Sequence, residues 1–243
     1  MVTDLRDPKS TVSSHDFSMP ISVADEVAQF IRGQICKGIL RPGDRLIELK
    51  IGKELGVAQN VVREALIKLD HWGYVQRFPR KGTYVISLSR NEVIKLFEVR
   101  TPWEILAVEL ILKRWKTEEL DFAQAERALA EMHNALGRAD FLNLYDSDLQ
   151  FHRSLWQLAN NRYLFQALER VTIPVFGFFA IKKMTSIQDL AWHEWVLSNH
   201  DSLLEAVKGR SLAKARAALL QAKQDALKYG SYWGDERKIV KVA

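Results

Sequence analysis

The sequence predicts a mainly α protein in two parts, a winged helix-turn-helix followed by an all-α helical bundle. Three observations predict it. Between Ile21 and Val85 the pattern changes often, punctuated by Gly38, Pro42-Gly43, Gly56, Gly73 and Gly82. Within that stretch, Arg41 to Val85 reads as two short helices joined by a glycine turn, then a small hairpin with charge at its tip. After Asn91 glycines become sparse, and apolar residues recur at three- and four-residue spacing.

The elements follow in order. Val23, Val27, Phe30, Ile31 and Ile35 predict one face of an opening helix that ends at Gly38. Pro42-Gly43 makes a turn. Glu48 to Leu55 is the first helix of the turn motif, with Leu49, Ile51 and Leu55 as its apolar contacts. Gly56 supplies the left-handed conformation that the tight turn needs. Asn60 to Trp72 is the second helix, burying Val62, Ala65, Leu66 and Leu69, and Gly73 stops it. Tyr74-Val75 and Tyr84-Val85 read as paired strands around Phe78-Pro79-Arg80-Lys81-Gly82. Ser89, with Glu92 three residues on, predicts the cap of the next helix. Six bundle helices are expected near 91–114, 117–136, 140–158, 161–183, 187–208 and 211–229, with Pro102 kinking the first or sitting within its first turns and Pro174 bending the fourth. The expected units are an arm over 1–20, the winged unit over 21–88, the bundle over 90–230 and a tail over 231–243.

Composition narrows the class. The chain has 243 residues, 47% hydrophobic, enough for a small domain plus a larger one. No run of eighteen apolar residues is visible, so no transmembrane helix and no membrane partner are expected. Met1 to Met19 is polar and lacks the apolar stretch of a signal peptide. The single cysteine, Cys36, precludes an internal disulfide, suits a reducing cytoplasm and is expected to be a buried structural thiol. Net charge is +5, and its distribution is uneven. Ser22 to Ser89 carries eleven basic and seven acidic residues, against 22 and 20 over the longer remainder. A denser positive excess in the winged unit suits attraction to phosphate.

The side chains of that unit sort by chemistry. Gln59, Asn60 and Arg63, at the start of the second helix, are the expected groove readers: Gln and Asn pair with adenine, Arg with guanine. Lys53, Lys68 and Arg77 are expected phosphate contacts, which position without specifying. Arg80, Lys81 and Gly82 at the wing tip suit a narrow minor groove. Together they imply double-stranded DNA as the partner.

At these residues the chain resembles the GntR family of bacterial transcription regulators. The matching runs are Gly38 to Leu46 (GILRPGDRL), Glu48 to Val57 (ELKIGKELGV), Val62 to Leu66 (VREAL), Gly73 to Val75 (GYV) and Arg80 to Val85 (RKGTYV). The family's usual Ser-Arg-Thr-Pro after Gly-Val is replaced by Ala58, Gln59, Asn60 and Val61, which implies an altered operator or weaker binding. The helical remainder resembles the FCD-type effector domain of the FadR branch, through Phe97 to Glu104, Asp148 with Phe151-His152, and Asn199 to Val207.

That resemblance implies a homodimeric regulator, a repressor by expectation, that reads a palindromic operator. It implies a small carboxylate effector held by Arg100, Asp148, His152 and His200, and a divalent metal such as Zn on Asp148, His152 and His200. The i, i+4 spacing of Asp148 and His152 puts both on one helical face, as chelation requires. The family's fourth ligand, a histidine, aligns with Ala222; Gln221 and Asp225 lie nearby. His193 is expected as a surface or packing histidine, with the same cavity as the alternative, and Arg100 can instead pair with Glu104 along its own helix. Trp103, Trp156, Phe176, Phe178, Phe179, Trp192 and Trp195 are expected mostly in the core, some lining an apolar pocket that suits an aromatic or fatty effector over a small sugar acid. The alternatives are a DNA-binding scaffold without effector and a metal-dependent hydrolase. Against the hydrolase, the sequence holds no HExxH motif, nucleophile elbow or P-loop.

Overall fold

Ser22 opens the first helix through a capping box, accepting from the Asp25 amide while the Asp25 carboxylate accepts from the Ser22 amide. The computed structural model describes residues 22–184 and 190–228. The expected arm and tail, and positions 187–189 of the fifth bundle helix, lie outside the described residues.

The winged unit comprises α1 (Val23–Cys36), β1 (Arg45–Leu46), α2 (Glu48–Leu55), α3 (Gln59–His71), β2 (Val75–Phe78) and β3 (Gly82–Val85). Helix α1 buries Ala24, Val27, Ala28, Ile31 and Ile35. Val23 and Phe30, expected on that face, are half exposed at 53% and 49%. At ~100° per residue both sit at the rim of the stripe that Ala24 and Ala28 centre. Leu49 likewise faces solvent, whereas Ile51 and Leu55 pack as expected. Gly56 is left-handed at φ 68°, and Gly52 packs where a Cβ would stand 2.9 Å from the Val57 carbonyl oxygen. Val62, Ala65, Leu66 and Leu69 of α3 are fully buried. The sheet is antiparallel in the order β1-β3-β2, with Val75 opposite Val85 and Arg77 opposite Thr83. Its two-residue β1, where Arg45 faces Tyr84, is too short to leave a pattern in the sequence.

The bundle comprises α4 (Arg90–Arg114), α5 (Ala123–Gly137), α6 (Phe141–Leu158), α7 (Arg162–Met184), α8 (Leu190–Lys208) and α9 (Leu212–Lys228). The expected Ser89–Glu92 capping box starts α4. Pro102 lies in the middle of α4 rather than its first turns, on the exposed side, and α4 continues through it. Helix α5 begins at Ala123, later than the expected 117. The Thr117 and Glu118 amides bond back to the Arg114 carbonyl, and Asp121 accepts from the Ala123 amide. Leu120 and Phe122 in that connection are buried although neither is helical. Ile111, Met132, Leu144, Phe151 and Leu168 centre the main core.

Helix α7 is apolar enough over Arg162–Ile181, at mean hydropathy 1.4, to cross a membrane by length and composition alone. In the structure 56% of that window is buried inside the protein, so it acts as a core helix. Its Gly177 meets Gly73 of the winged unit backbone to backbone. A Cβ on Gly177 would stand 1.9 Å from the Gly73 carbonyl oxygen. A second core runs across this junction, from Ile31, Leu66 and Tyr74 to Phe97, Val175 and Ile181.

Candidate nucleic-acid interface and effector cavity

The start of α3 is exposed. Its N-cap, Ala58, offers no side-chain oxygen, so no side chain caps the first amides of α3. Such an uncapped N-terminus suits a phosphate. Gln59, Asn60 and Arg63 face solvent, as do Lys53 and Arg77. Two of them are held by one carboxylate: Gln59 Nε2 donates to Glu48 Oε2 at 3.0 Å, and Arg63 Nη2 to the same oxygen at 2.9 Å. Lys68 differs from its expected phosphate role. Its Nζ lies 2.5 Å from Asp25 Oδ1 and 3.7 Å from Glu64, tying α3 to the start of α1. At the wing, Arg80 is left-handed at φ 63° and Gly82 at φ 108°, with Arg80 and Lys81 exposed. The Arg45 guanidinium lies beside Gly82 and 6.0 Å from the Tyr84 ring, placing a cation at the wing that the sequence reading missed.

Inside the bundle, α4, α6 and α8 bring Arg100, Asp148, His152 and His200 together as expected, all nine-tenths or more buried. Glu104 joins them. Its Oε1 accepts from Arg100 Nη2 at 3.0 Å and from His152 Nδ1 at 3.0 Å. The i, i+4 Arg–Glu pair and the cavity cluster are therefore one network. His200 Nδ1 donates to the Val196 carbonyl at 2.6 Å, and His200 Nε2 lies 2.8 Å from Asp148 Oδ1. The two Nε2 atoms are 3.2 Å apart, and Arg100 Nη2 is 3.2 Å from that of His152.

Burial pushes against every charge here, and the partners decide the outcome. For Glu104 the Arg100 charge and the hydrogen bonds from Arg100 and His152 outweigh burial and hold the carboxyl at about 2. Asp148 is also lowered, by His200 above all. Burial lowers His152, and Glu104 does not fully offset it, so the ring is neutral. His200 is raised, because Asp148 and the Val196 carbonyl outweigh burial. Two carboxylates, Glu104 and Asp148, face Arg100 and the two histidines.

The donor set also fits a divalent metal. Asp148, His152 and His200 each offer one ligand atom, all within 4.8 Å of one another. Both rings turn Nδ1 outward to a fixed acceptor, the outer-shell arrangement that leaves Nε2 for an ion. The fourth position is not filled: Ala222 lines the cavity, while Gln221 and Asp225 bond to each other at 2.6 Å outside it. His193 is not in the cavity lining. It is buried against the Phe141 ring, 4.7 Å between centroids, and 3.5 Å from the Tyr145 hydroxyl. Of the aromatics, Phe176, Phe179, Trp192 and Trp195 line the cavity, whereas Trp156 and Phe178 are core.

Known proteins resemble this chain over most of its length. The profile of the FCD domain matches residues 95–222, and that of the bacterial regulatory proteins of the gntR family matches residues 23–85. The uncharacterized HTH-type transcriptional regulator YdhC of Bacillus subtilis (strain 168) is 29% identical over 78% of this chain and 83% of its own length. The gluconate operon transcriptional repressor of Bacillus licheniformis is 26% identical over 77% of this chain and 76% of its own length. The solved structure of E. coli McbR/YncC shares the fold at TM-score 0.64 and 22% identity, over 88% of this chain and all of that one (100%). These are regulators rather than enzymes, which sets aside the hydrolase reading. The chain belongs to the GntR family of bacterial regulatory proteins, in the branch that carries an FCD domain, and is a DNA-binding transcription regulator.

Proposed function

We propose that this regulator is a cytoplasmic, homodimeric repressor whose operator affinity is set by a small carboxylate bound among α4, α6, α7, α8 and α9. Gln59, Asn60 and Arg63 read base edges, and the α3 amides, Lys53, Arg77, Arg45 and the wing residues Arg80, Lys81 and Gly82 hold phosphates and the minor groove. Glu48 keeps Gln59 and Arg63 together until DNA displaces it. The α4 face bearing Val99 and Leu106, 38% and 41% exposed, supplies an apolar stripe for a second copy. Two-fold pairing then matches a palindromic operator.

One observation carries the effector reading. Helix α6 bears Asp148 in the cavity and, two residues earlier, Asp146 bonded to Arg32 of the winged unit at 2.7 Å. Helix α7 repeats the arrangement, with Phe176 in the cavity and Gly177 against Gly73. A ligand that shifts either helix changes the placement of the DNA-binding unit, provided it binds two arrangements unequally. A divalent metal such as Zn, held by Asp148, His152 and His200, brings positive charge that favours the acid.

The alternative, a DNA-binding scaffold without effector, draws support from the hydrogen bonds that Arg100, Glu104, His152, Asp148 and His200 make among themselves. Operator selection from a random duplex pool, followed by binding titrations at fixed salt, separates these readings. The repressor reading expects Arg63→Ala to weaken the selected operator about 10- to 100-fold, the ~1–3 kcal/mol of a bidentate base contact. It also expects Arg100→Ala to abolish release of the operator by an effector-rich acid fraction. No sequence preference over random duplex removes the specific-regulator reading. Unchanged release in Arg100→Ala and His152→Ala favours the scaffold.

A further inference from the structure

The class of acid follows from the two ends of the cavity, an inference that rests on the effector reading above. One end is the charged cluster, and it holds two donors without a partner. Arg100 is 7% exposed; its Nη2 is engaged by Glu104 and His152, but its Nε is buried and unpaired. Asn199, next to His200 and lining the same cavity, buries an unpaired Nδ2. A buried donor left unmet costs about 1–3 kcal/mol, so two of them bordering one cavity call for an acceptor with two oxygens. In the sequence Asn199 marks only the start of the Asn199 to Val207 run, with no ligand role.

The other end is aromatic. The Phe97 and Phe176 rings lie 5.4 and 5.0 Å from the Arg100 guanidinium. Phe179, Trp192 and Trp195 line the same cavity and form a run of rings, with centroids 6.3 and 4.8 Å apart. A sugar acid carries hydroxyls along its chain, and each one pressed against the face of such a ring loses water there. A flat ring gains there, through apolar burial and ring–ring contact.

We propose that the cavity selects aromatic monocarboxylates, the carboxylate taken by Arg100 and Asn199 and the ring lodged among Phe176, Phe179 and Trp195. Isothermal titration of the full-length protein tests this with benzoate, phenylacetate, indole-3-acetate, gluconate, succinate and uncharged benzyl alcohol. The aromatic acids bind at least tenfold more tightly than gluconate, succinate and benzyl alcohol. Asn199→Ala weakens phenylacetate about tenfold, as loss of one hydrogen bond to a charged group requires, with helicity and melting temperature checked alongside. Binding of gluconate or succinate in preference to every aromatic acid overturns the proposal and leaves the carboxylate-effector reading intact. Benzyl alcohol binding as tightly as phenylacetate overturns both. Binding by none of the panel overturns the proposal alone, since the operator titration judges the wider reading independently. An unchanged phenylacetate affinity in folded Asn199→Ala overturns the assignment of that end.

Discussion

Arg32 and Asp146 join the two units of the chain: Arg32 Nη2 donates to Asp146 Oδ1 at 2.7 Å across 114 residues of sequence. The Arg32 side chain is 7% exposed and also donates to the Tyr74 hydroxyl at 2.9 Å, so it is fixed from the winged side. Asp146 is half exposed, which discounts the pair well below a fully buried one. Asp146→Ala is expected to cost about 1–2 kcal/mol and to loosen the docking of the winged unit. Thermal unfolding, with hydrogen exchange at α1 and β2, measures both effects. Unchanged exchange at α1 would mean that this bridge does not hold the units together.

Gly177 gives a prediction whose sign is informative. By helix propensity alone, Gly177→Ala in the interior of α7 stabilises by about 1 kcal/mol. The structure predicts the reverse, because the new Cβ would meet the Gly73 carbonyl, which is backbone and cannot swing aside. Destabilisation, with faster proteolysis near residues 86–90, is the expected result. A variant more stable than the parent would refute the backbone-to-backbone contact.

Metal binding is checked by melting temperature with and without Zn²⁺. At a hundredfold excess over the dissociation constant a bound ion adds about 2.7 kcal/mol, or roughly 5–10 °C for a chain of this size. Asp148→Ala is expected to abolish the shift. Ala222→His, which adds a fourth nitrogen on α9, is expected to raise it. No shift in either the parent or Ala222→His counts against an ion at these residues.

Cys36 is half-buried, and burial pushes its thiol up to about 11 from 9.0. Since only the thiolate alkylates, iodoacetamide at pH 8 should react about a hundredfold more slowly than with the unfolded chain. The folded pKa is raised, so the linked stability is complete below pH 9 and is lost as pH rises toward 11. Alkylation at the unfolded rate would show that the thiol is open to solvent.

Most of the architecture was legible along the chain, because local rules suffice for it. Ser89 and Glu92 announced their capping box, Gly56 its left-handed turn, and Val62, Ala65, Leu66 and Leu69 their buried stripe. Errors fell where burial and periodicity disagree. Leu120 and Phe122 are buried in a connection, and Phe30 is apolar yet sits at the rim of its helix. The spacing of Asp148 and His152 put that pair on one helical face and the family resemblance added Arg100 and His200, but Glu104 could be read only as an intrahelical partner of Arg100 until α6 was packed beside α4.

The sequence by itself determined the two-part organisation, the turn motif with its exposed reading residues, and the helix that carries Asp148 and His152. Spacing and side-chain type encode those. Only the tertiary structure decided that Lys68 pairs with Asp25, that His193 packs on Phe141 away from the cavity, and that Arg32 and Gly73 bind the winged unit to the bundle. Such pairings join positions tens of residues apart. They are set by which helix faces meet when the two cores close, and periodicity within one helix carries no information about its neighbour.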